Sequence, residues 1–413
     1  MARVADFIYR AIYRGLLCRL PEPAAVALGQ AGLRWLPLDR LPVFRSPDPR
    51  LAVTLGGVRL SNPLILSSMY YDLVILQRAM GLGFGAVTTK SITLGPRPGH
   101  PRPNLVRIET SAGPGLINCN GFQNPGLGAY RAALPSLPHR VPLIVSVAGE
   151  SVDEYATLVR ELGGFGDLVE VNISSPNTAL VYQWSQKPGE LGGLFKAVRA
   201  ATTKPLIVKL SPDFSEANED AIIPAALEHG IRIVNYGNTR RVTEPRLSQG
   251  AGGLSGPEIF PETLVNARRI RRRFGHSLQL IATGGIDAPE KALSVLEAGA
   301  DACGYFTGFI TRGPLLARRI LDRLSSELDH RGLARLGELR AGPGALYPQV
   351  IHLSTPIHSS WIRTSRRAFS DGRAENDGPV VHRRGGPQKF RALARLLQGR
   401  LARTRAGCGE TSP

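Results

Sequence analysis

At 413 residues the chain has room for one large α/β barrel with additions, or for two ordinary domains. Hydrophobic residues make up 43% of it, which argues against wholesale disorder. The formal net charge of +18 has three open readings: a GC-rich genome that favours Arg, an anionic membrane surface, or an anionic substrate. Nucleic acid is disfavoured as a partner, because the basic residues are not interleaved with aromatics on one segment.

Cys18, Cys119, Cys303 and Cys408 lie far apart and form no CxxC pair. That argues against an iron–sulfur cluster, a zinc knuckle or a disulfide framework, predicts no metal site and suits a reducing cytoplasm. No run of 18 or more apolar residues occurs, so no transmembrane helix is expected. The first 20 residues carry too many dispersed charges for a signal peptide.

In chain order, residues 1–45 read as an amphipathic helical extension. Val4, Phe7, Ile8, Ile12 and Leu16 fall at helical spacing among Arg3, Arg10, Arg14 and Arg19. Pro23 suits the start of a second helix, which carries Val26, Leu28, Leu33, Trp35 and Leu36. Two compatible readings stay open: a helical hairpin capping the next domain, or a basic segment lying in a membrane interface.

Residues 46–342 repeat one pattern eight times: an apolar run, a loop with Ser, Gly or Asn, and usually an amphipathic helical stretch. The runs begin at Leu64, Ala86, Leu143, Leu168, Leu206, Arg232, Leu278 and Ala302. Strands alternating with helices imply a parallel sheet. Eight of them, with polar residues at their C-terminal ends, predict a closed (β/α)8 TIM barrel with its site at that face. Residues 343–413 are rich in Arg, Gly, Pro and Ser with weak periodicity, and are expected to form a basic, disordered tail.

Three Gly-rich segments are candidates for a phosphate: residues 250–257 (GAGGLSGP), Gly284 and Gly285 after the seventh run, and Thr307 and Gly308 after the eighth. The alternative is that these glycines simply make tight turns. Residues 172–178 (NISSPNT) follow the fourth run. Asn172 and Asn177 there could read a ring bearing imide and carbonyl groups; a turn without chemistry is the alternative. Lys209 within the fifth run is costly unless paired, and either stabilises negative charge at the mouth or belongs to a structural ion pair. Lys90 follows the same logic. Residues 117–126 (INCNGFQNPG), with Asn118, Asn120 and Asn124, read as a polar loop suited to a substrate lid.

Together GLINCNGFQNPG, NISSPNT, KLSPD, GGLSGP, ATGGI and YFTGFITRGP resemble the dihydroorotate dehydrogenases, from about Val58 to about Arg340. The resemblance implies an FMN-bound (β/α)8 barrel that oxidises dihydroorotate to orotate in pyrimidine synthesis. It places Asn118, Gly121, Phe122, Asn172, Asn177, Asn238 and Thr239 on the substrate, with Lys90 between substrate and flavin. It places Ser67, Ser68, Ser91, Asn172, Lys209, Gly256, Gly284, Gly285, Thr307 and Gly308 on the flavin or its phosphate. Ser175 takes the catalytic-base position. A serine there is similar to the quinone-linked class, as are the N-terminal helices, and Thr178 and Phe122 match positions supporting its proton relay. That class implies a quinone partner and peripheral contact with the cytoplasmic face of the membrane.

Some features depart from it. TTKSITL and VSVAGES look like the soluble class, Met69 stands where the family has a Gly, Ala179 and Leu180 follow the SPNT motif in place of Pro-Gly, and Ala25 stands where the extension has a His. Two alternatives stay open: a related flavoenzyme acting on another dihydropyrimidine or cyclic amide, or an FMN-binding barrel without turnover.

Overall fold

The computed structural model describes residues 9, 11–13, 15–44, 48–175, 184 and 188–340. Eight parallel strands close a barrel: β1 (Leu64–Leu66), β2 (Ala86–Thr88), β3 (Leu143–Val147), β4 (Leu168–Asn172), β5 (Leu206–Leu210), β6 (Ile233–Tyr236), β7 (Gln279–Thr283) and β8 (Ala302–Tyr305). Each lies within one of the eight runs. Every residue of β3, β4 and β5 is buried, as expected where side chains fill the barrel on one face and meet helices on the other.

The helix Val152–Leu162 illustrates the outer layer. Ser151 caps it, its hydroxyl accepting from the Glu154 amide at 3.2 Å, and Asp153 and Glu154 complement the helix dipole. Its inner face presents Tyr155, Leu158, Val159 and Leu162, all fully buried. Each such aliphatic side chain contributes roughly 1.5–3 kcal/mol.

Register places the polar residues of the barrel. Asn172 of β4 lies opposite Lys209 of β5, and Lys209 opposite Asn235 of β6. Ser146 of β3 lies opposite Glu170 of β4. The two-residue period puts Glu170 and Asn172 on one face, a layer apart.

Two additions close the ends. The hairpin Val53–Leu55/Val58–Leu60 is tied to the first residue of β7, where Gln279 accepts from the Gly56 amide and donates to the Thr54 carbonyl, both at 2.7 Å. At the opposite end lies a four-stranded antiparallel sheet, in the order Arg240–Thr243, Ala251–Ser255, Gly113–Asn118, Leu105–Thr110. This corrects the sequence reading at two places. Most of GAGGLSGP is strand, and Asn118 ends a strand before the polar loop begins. Glycine-rich segments carry little intrinsic strand preference, so pairing across the fold decides them.

Within the extension, Glu22–Trp35 is a helix with Pro23 in its first turn, as predicted. Much of the preceding segment, and residues 341–413, lie outside the described residues. The extension is held to the barrel unit by Arg107, which donates to the carbonyls of Leu17 and Leu20 and lies 3.6 Å from Glu22. Arg34 pairs with Asp72. Tyr9 donates to the Ile310 carbonyl at 2.6 Å.

Candidate active site

The strand ends carry most of the predicted residues to one mouth. Asn172 is the hub of a buried network. Its amide nitrogen donates to Ser91 Oγ at 2.9 Å, and its oxygen accepts from the Ser174 amide at 3.2 Å and the Ser174 hydroxyl at 3.0 Å. Tyr155 donates to its carbonyl at 2.8 Å. Asn238, after β6, donates to the Ser174 carbonyl at 3.2 Å and hydroxyl at 3.0 Å, and its own oxygen accepts from the Thr239 amide. The loop carrying Ser175 is therefore tied to two other strand ends just before that residue. Ser175 is itself buried. Asn177 and Thr178 lie outside the described residues.

Both lysines are buried in the mouth. Lys209 forms an ion pair with Glu170 at 3.4 Å. The Lys90 ammonium is lowered from 10.5 to about 8, by burial and by the nearby charge of Lys209. Its nitrogen lies 4.0 Å from Met69 Sδ, which puts Met69 beside the site. Ser68 Oγ lies 3.4 Å from Ser91 Oγ, joining the ends of β1 and β2.

Asn118 donates to the Gly253 carbonyl at 3.4 Å, anchoring the antiparallel sheet over the mouth. Gly253 cannot carry a side chain: a Cβ there would lie 1.9 Å from Thr239 Oγ1. Gly121 lies under the His100 ring. Phe122 alone among the described non-glycine residues has positive φ, 54°, a conformation costing roughly 1–3 kcal/mol. Asn124 holds it, donating to the Phe122 carbonyl at 2.6 Å, and Phe122 packs on Ala148.

At the other side the glycine segments come together. Gly284 and Gly285 turn with φ of 126° and 71°, and Gly285 runs against the backbone of Phe260, the first residue of helix Phe260–Phe274. Thr307 donates to Ser255 at 2.9 Å, which brings the end of β8 to the residue before Gly256. Gly308 abuts the Ile286 carbonyl. Asp287, next along, is paired with Lys291 and Arg312, both at 2.6 Å, which braces this end.

The residues present fit a polar cofactor. The hydroxyls of Ser67 and Thr283 are buried without a hydrogen-bond partner in the protein, as is Asn235 Oδ1. Ser67 and Thr283 flank Gly304, where a Cβ would lie 2.3 Å from Thr283 Oγ1. Buried polar groups without a protein partner, beside a close-packed glycine, suit a ligand that completes them.

Sequence reasoning missed Glu170, Ser146, Ser174, Asn235 and Thr283. Glu170 had a legible signal, a carboxylate in the middle of an apolar strand (LVEVN), of the same kind that singled out Lys209.

Residues 50–328 match the dihydroorotate dehydrogenase family. The chain is 35% identical over 303 residues to a dihydroorotate dehydrogenase (quinone) of Mycolicibacterium paratuberculosis, covering 70% of this chain and 81% of that protein. It is 34% identical to one from Chloroflexus aurantiacus, covering 66% and 81%. The fold is similar to that of DHODH from Eimeria tenella in complex with ferulenol, with a TM-score of 0.69 and 24% identity over 79% of this chain and 97% of that one.

Proposed function

The chain belongs to the dihydroorotate dehydrogenase family, and from that premise we propose that it oxidises dihydroorotate to orotate with FMN at the barrel mouth, Ser175 as base and a quinone as electron acceptor. It is an oxidoreductase of the dihydroorotate dehydrogenase (quinone) type, acting on a CH–CH bond. One observation supports the finer reading: Asn172 and Asn238 both hydrogen-bond Ser174, the residue before Ser175, which suits two amides and a base acting on one substrate.

FMN, when bound, supplies the hydride acceptor at its N5. Ser67, Ser68, Ser91, Asn172 and Lys209 would hold its ring, and Gly256, Gly284, Gly285, Thr307 and Gly308 its phosphate. Asn118, Gly121, Phe122, Asn172, Asn177, Asn238 and Thr239 would bind the substrate ring, leaving the hydroxyl of Ser175 to take a proton from one substrate carbon. A serine hydroxyl is a weak base, so it depends on burial and on a relay through neighbours, for which Thr178 and Phe122 are the candidates. Lys90 would offer a positive charge to an anionic substrate.

The N-terminal extension is the proposed contact with quinone and with the cytoplasmic face of a membrane. Ile12, Leu16, Val26, Leu28, Trp35, Leu36 and Leu41 are all exposed there, Trp35 by 75%, among basic residues that suit an anionic surface. No helix among the described residues is long and apolar enough to cross a membrane. We assign residues 1–45 to this extension, 46–342 to the barrel and 343–413 to a tail.

The test is anaerobic. Purified protein should be yellow and should bleach on addition of dihydroorotate. Bleaching only with another dihydropyrimidine would favour the second reading, which Met69 beside Lys90 supports through a changed pocket wall. Colourless protein without affinity for FMN would end both.

A further inference from the structure

We infer that Glu170 is a positioning residue with two separable roles: it anchors the Lys209 ammonium, and it terminates a directed hydrogen-bond chain that fixes the Ser146 and Ser91 hydroxyls supporting Asn172. The inference rests on the reading above and deepens it.

Glu170 is 1% exposed in the middle of β4. A buried carboxylate costs several kcal/mol unless compensated, and an apolar residue would close the barrel as well. Here compensation comes from three strands. Oε1 accepts from Ser146 Oγ at 2.9 Å and from Lys209 Nζ at 3.4 Å, and Oε2 accepts from Asn235 Nδ2 at 2.7 Å.

An ionised carboxylate can only accept, and this fixes the sense of everything attached to it. Ser146 spends its one hydrogen on Glu170. The contact of 2.9 Å between Ser146 and Ser91 must then be donated by Ser91. Ser91 accepts in turn from Asn172 Nδ2, which leaves Asn172 Oδ1 to accept from the Ser174 hydroxyl. Ser174 can then only accept from Asn238 Nδ2. One unbroken direction runs from Asn238 through Ser174, Asn172, Ser91 and Ser146 to Glu170. Main-chain groups of Ser174 and Thr239 already fix which way the two amides face; what the carboxylate sets is the direction of the Ser146 and Ser91 hydroxyls that support Asn172.

The roles separate because glutamine keeps one acceptor. In Glu170→Gln, Oε1 still accepts from Ser146, and Asn235 can turn its unpartnered Oδ1 toward the new amide. The chain survives, while Lys209 faces an uncharged group. Released from its partner, Lys209 loses its fixed place, and negative charge on the reduced flavin is less well stabilised. Simple loss of a nearby negative charge acts in the opposite sense, so the sign of the change discriminates.

The experiment measures the midpoint potential of bound FMN and orotate affinity by flavin absorbance, in the whole protein. Glu170→Gln is expected to lower the reduced-to-oxidised ratio at fixed poise about tenfold, about 30 mV for a two-electron couple, with orotate affinity within about threefold of wild type. In a Lys209→Met background the same substitution should add less than about threefold, as coupled residues require. Ser146→Ala should show the converse pattern, weaker orotate binding at an unchanged potential, and serves where Glu170→Gln does not retain FMN. An unchanged or raised potential in Glu170→Gln, or a shifted potential with intact orotate binding in Ser146→Ala, would overturn the inference. Wild-type protein that binds no FMN would instead overturn the functional reading itself.

Discussion

Lys90 and Lys209 reach the same mouth from the ends of β2 and β5, close enough that burial and the charge of Lys209 hold the Lys90 ammonium down at about 8. Glu170 pairs with Lys209 at 3.4 Å, and among the described residues no carboxylate pairs with Lys90. The Lys90 charge is therefore free to meet an anionic ligand.

A pH dependence follows. Below about 8 Lys90 is charged and attracts a carboxylate ligand; above it the ammonium loses its proton and the attraction goes. Orotate affinity should therefore fall as pH rises through about 8, by about tenfold or more, given roughly 1.5–3 kcal/mol for a hydrogen bond to a charged group. Lys90→Gln should bind more weakly at pH 7 and show a flat profile. For folding the sign is opposite: a lysine depressed in the native state opposes folding below about 8, and the penalty is relieved between about 8 and 10.5. A titration of orotate affinity from pH 7 to 9 that stays level would take Lys90 out of the ligand's reach.

Ser175→Ala should retain FMN while slowing anaerobic flavin reduction by about two orders of magnitude or more, the range expected for losing a positioned base. Stopped-flow absorbance in a single turnover reads this directly. An unchanged rate would remove the hydroxyl from the proton transfer.

Gly237 has φ of 127°, and a Cβ there would lie 1.5 Å from the Thr283 carbonyl oxygen. Gly237→Ala combines an unfavourable backbone conformation with a clash against main chain that cannot rotate away. We expect a loss of about 2–5 kcal/mol in stability, visible as a lower denaturation midpoint. Gly230→Ala, also at positive φ but with open space around it, is the control for conformation alone and should cost less.

Removing residues 1–36 should leave flavin reduction by substrate intact and impair reoxidation by quinone. The cut stops short of Asp39, whose buried carboxylate pairs with Arg78 and Arg140 at 2.9 and 2.7 Å and is best left in place. Sedimentation with anionic vesicles should show binding by the full chain and little by the truncated one. Undiminished quinone turnover after truncation would separate the extension from the acceptor.

Comparing Lys209 with Glu170 shows how much of the site was legible. Both are charges inside apolar strands, and either could be marked from the sequence. The same buried-charge signal that singles out Lys209 marks Glu170 in LVEVN, but which atoms compensate Glu170 depends on Ser146, Lys209 and Asn235 from three other strands. Asn172 and Asn238 could be named as ring readers, yet their common grip on Ser174 spans 64 residues of chain in the case of Asn238.

The barrel itself was determined by the sequence alone, because each strand is a local apolar run and each helix a local pattern, and neighbouring strands of the barrel are successive in the chain. The antiparallel sheet over the mouth, the seat of Asn118 against Gly253 across 135 residues and the directed chain ending on Glu170 were decided only in three dimensions. Glycine-rich strands have no strong preference of their own, and a hydrogen bond acquires its direction only once every donor and acceptor along the chain has been brought into place.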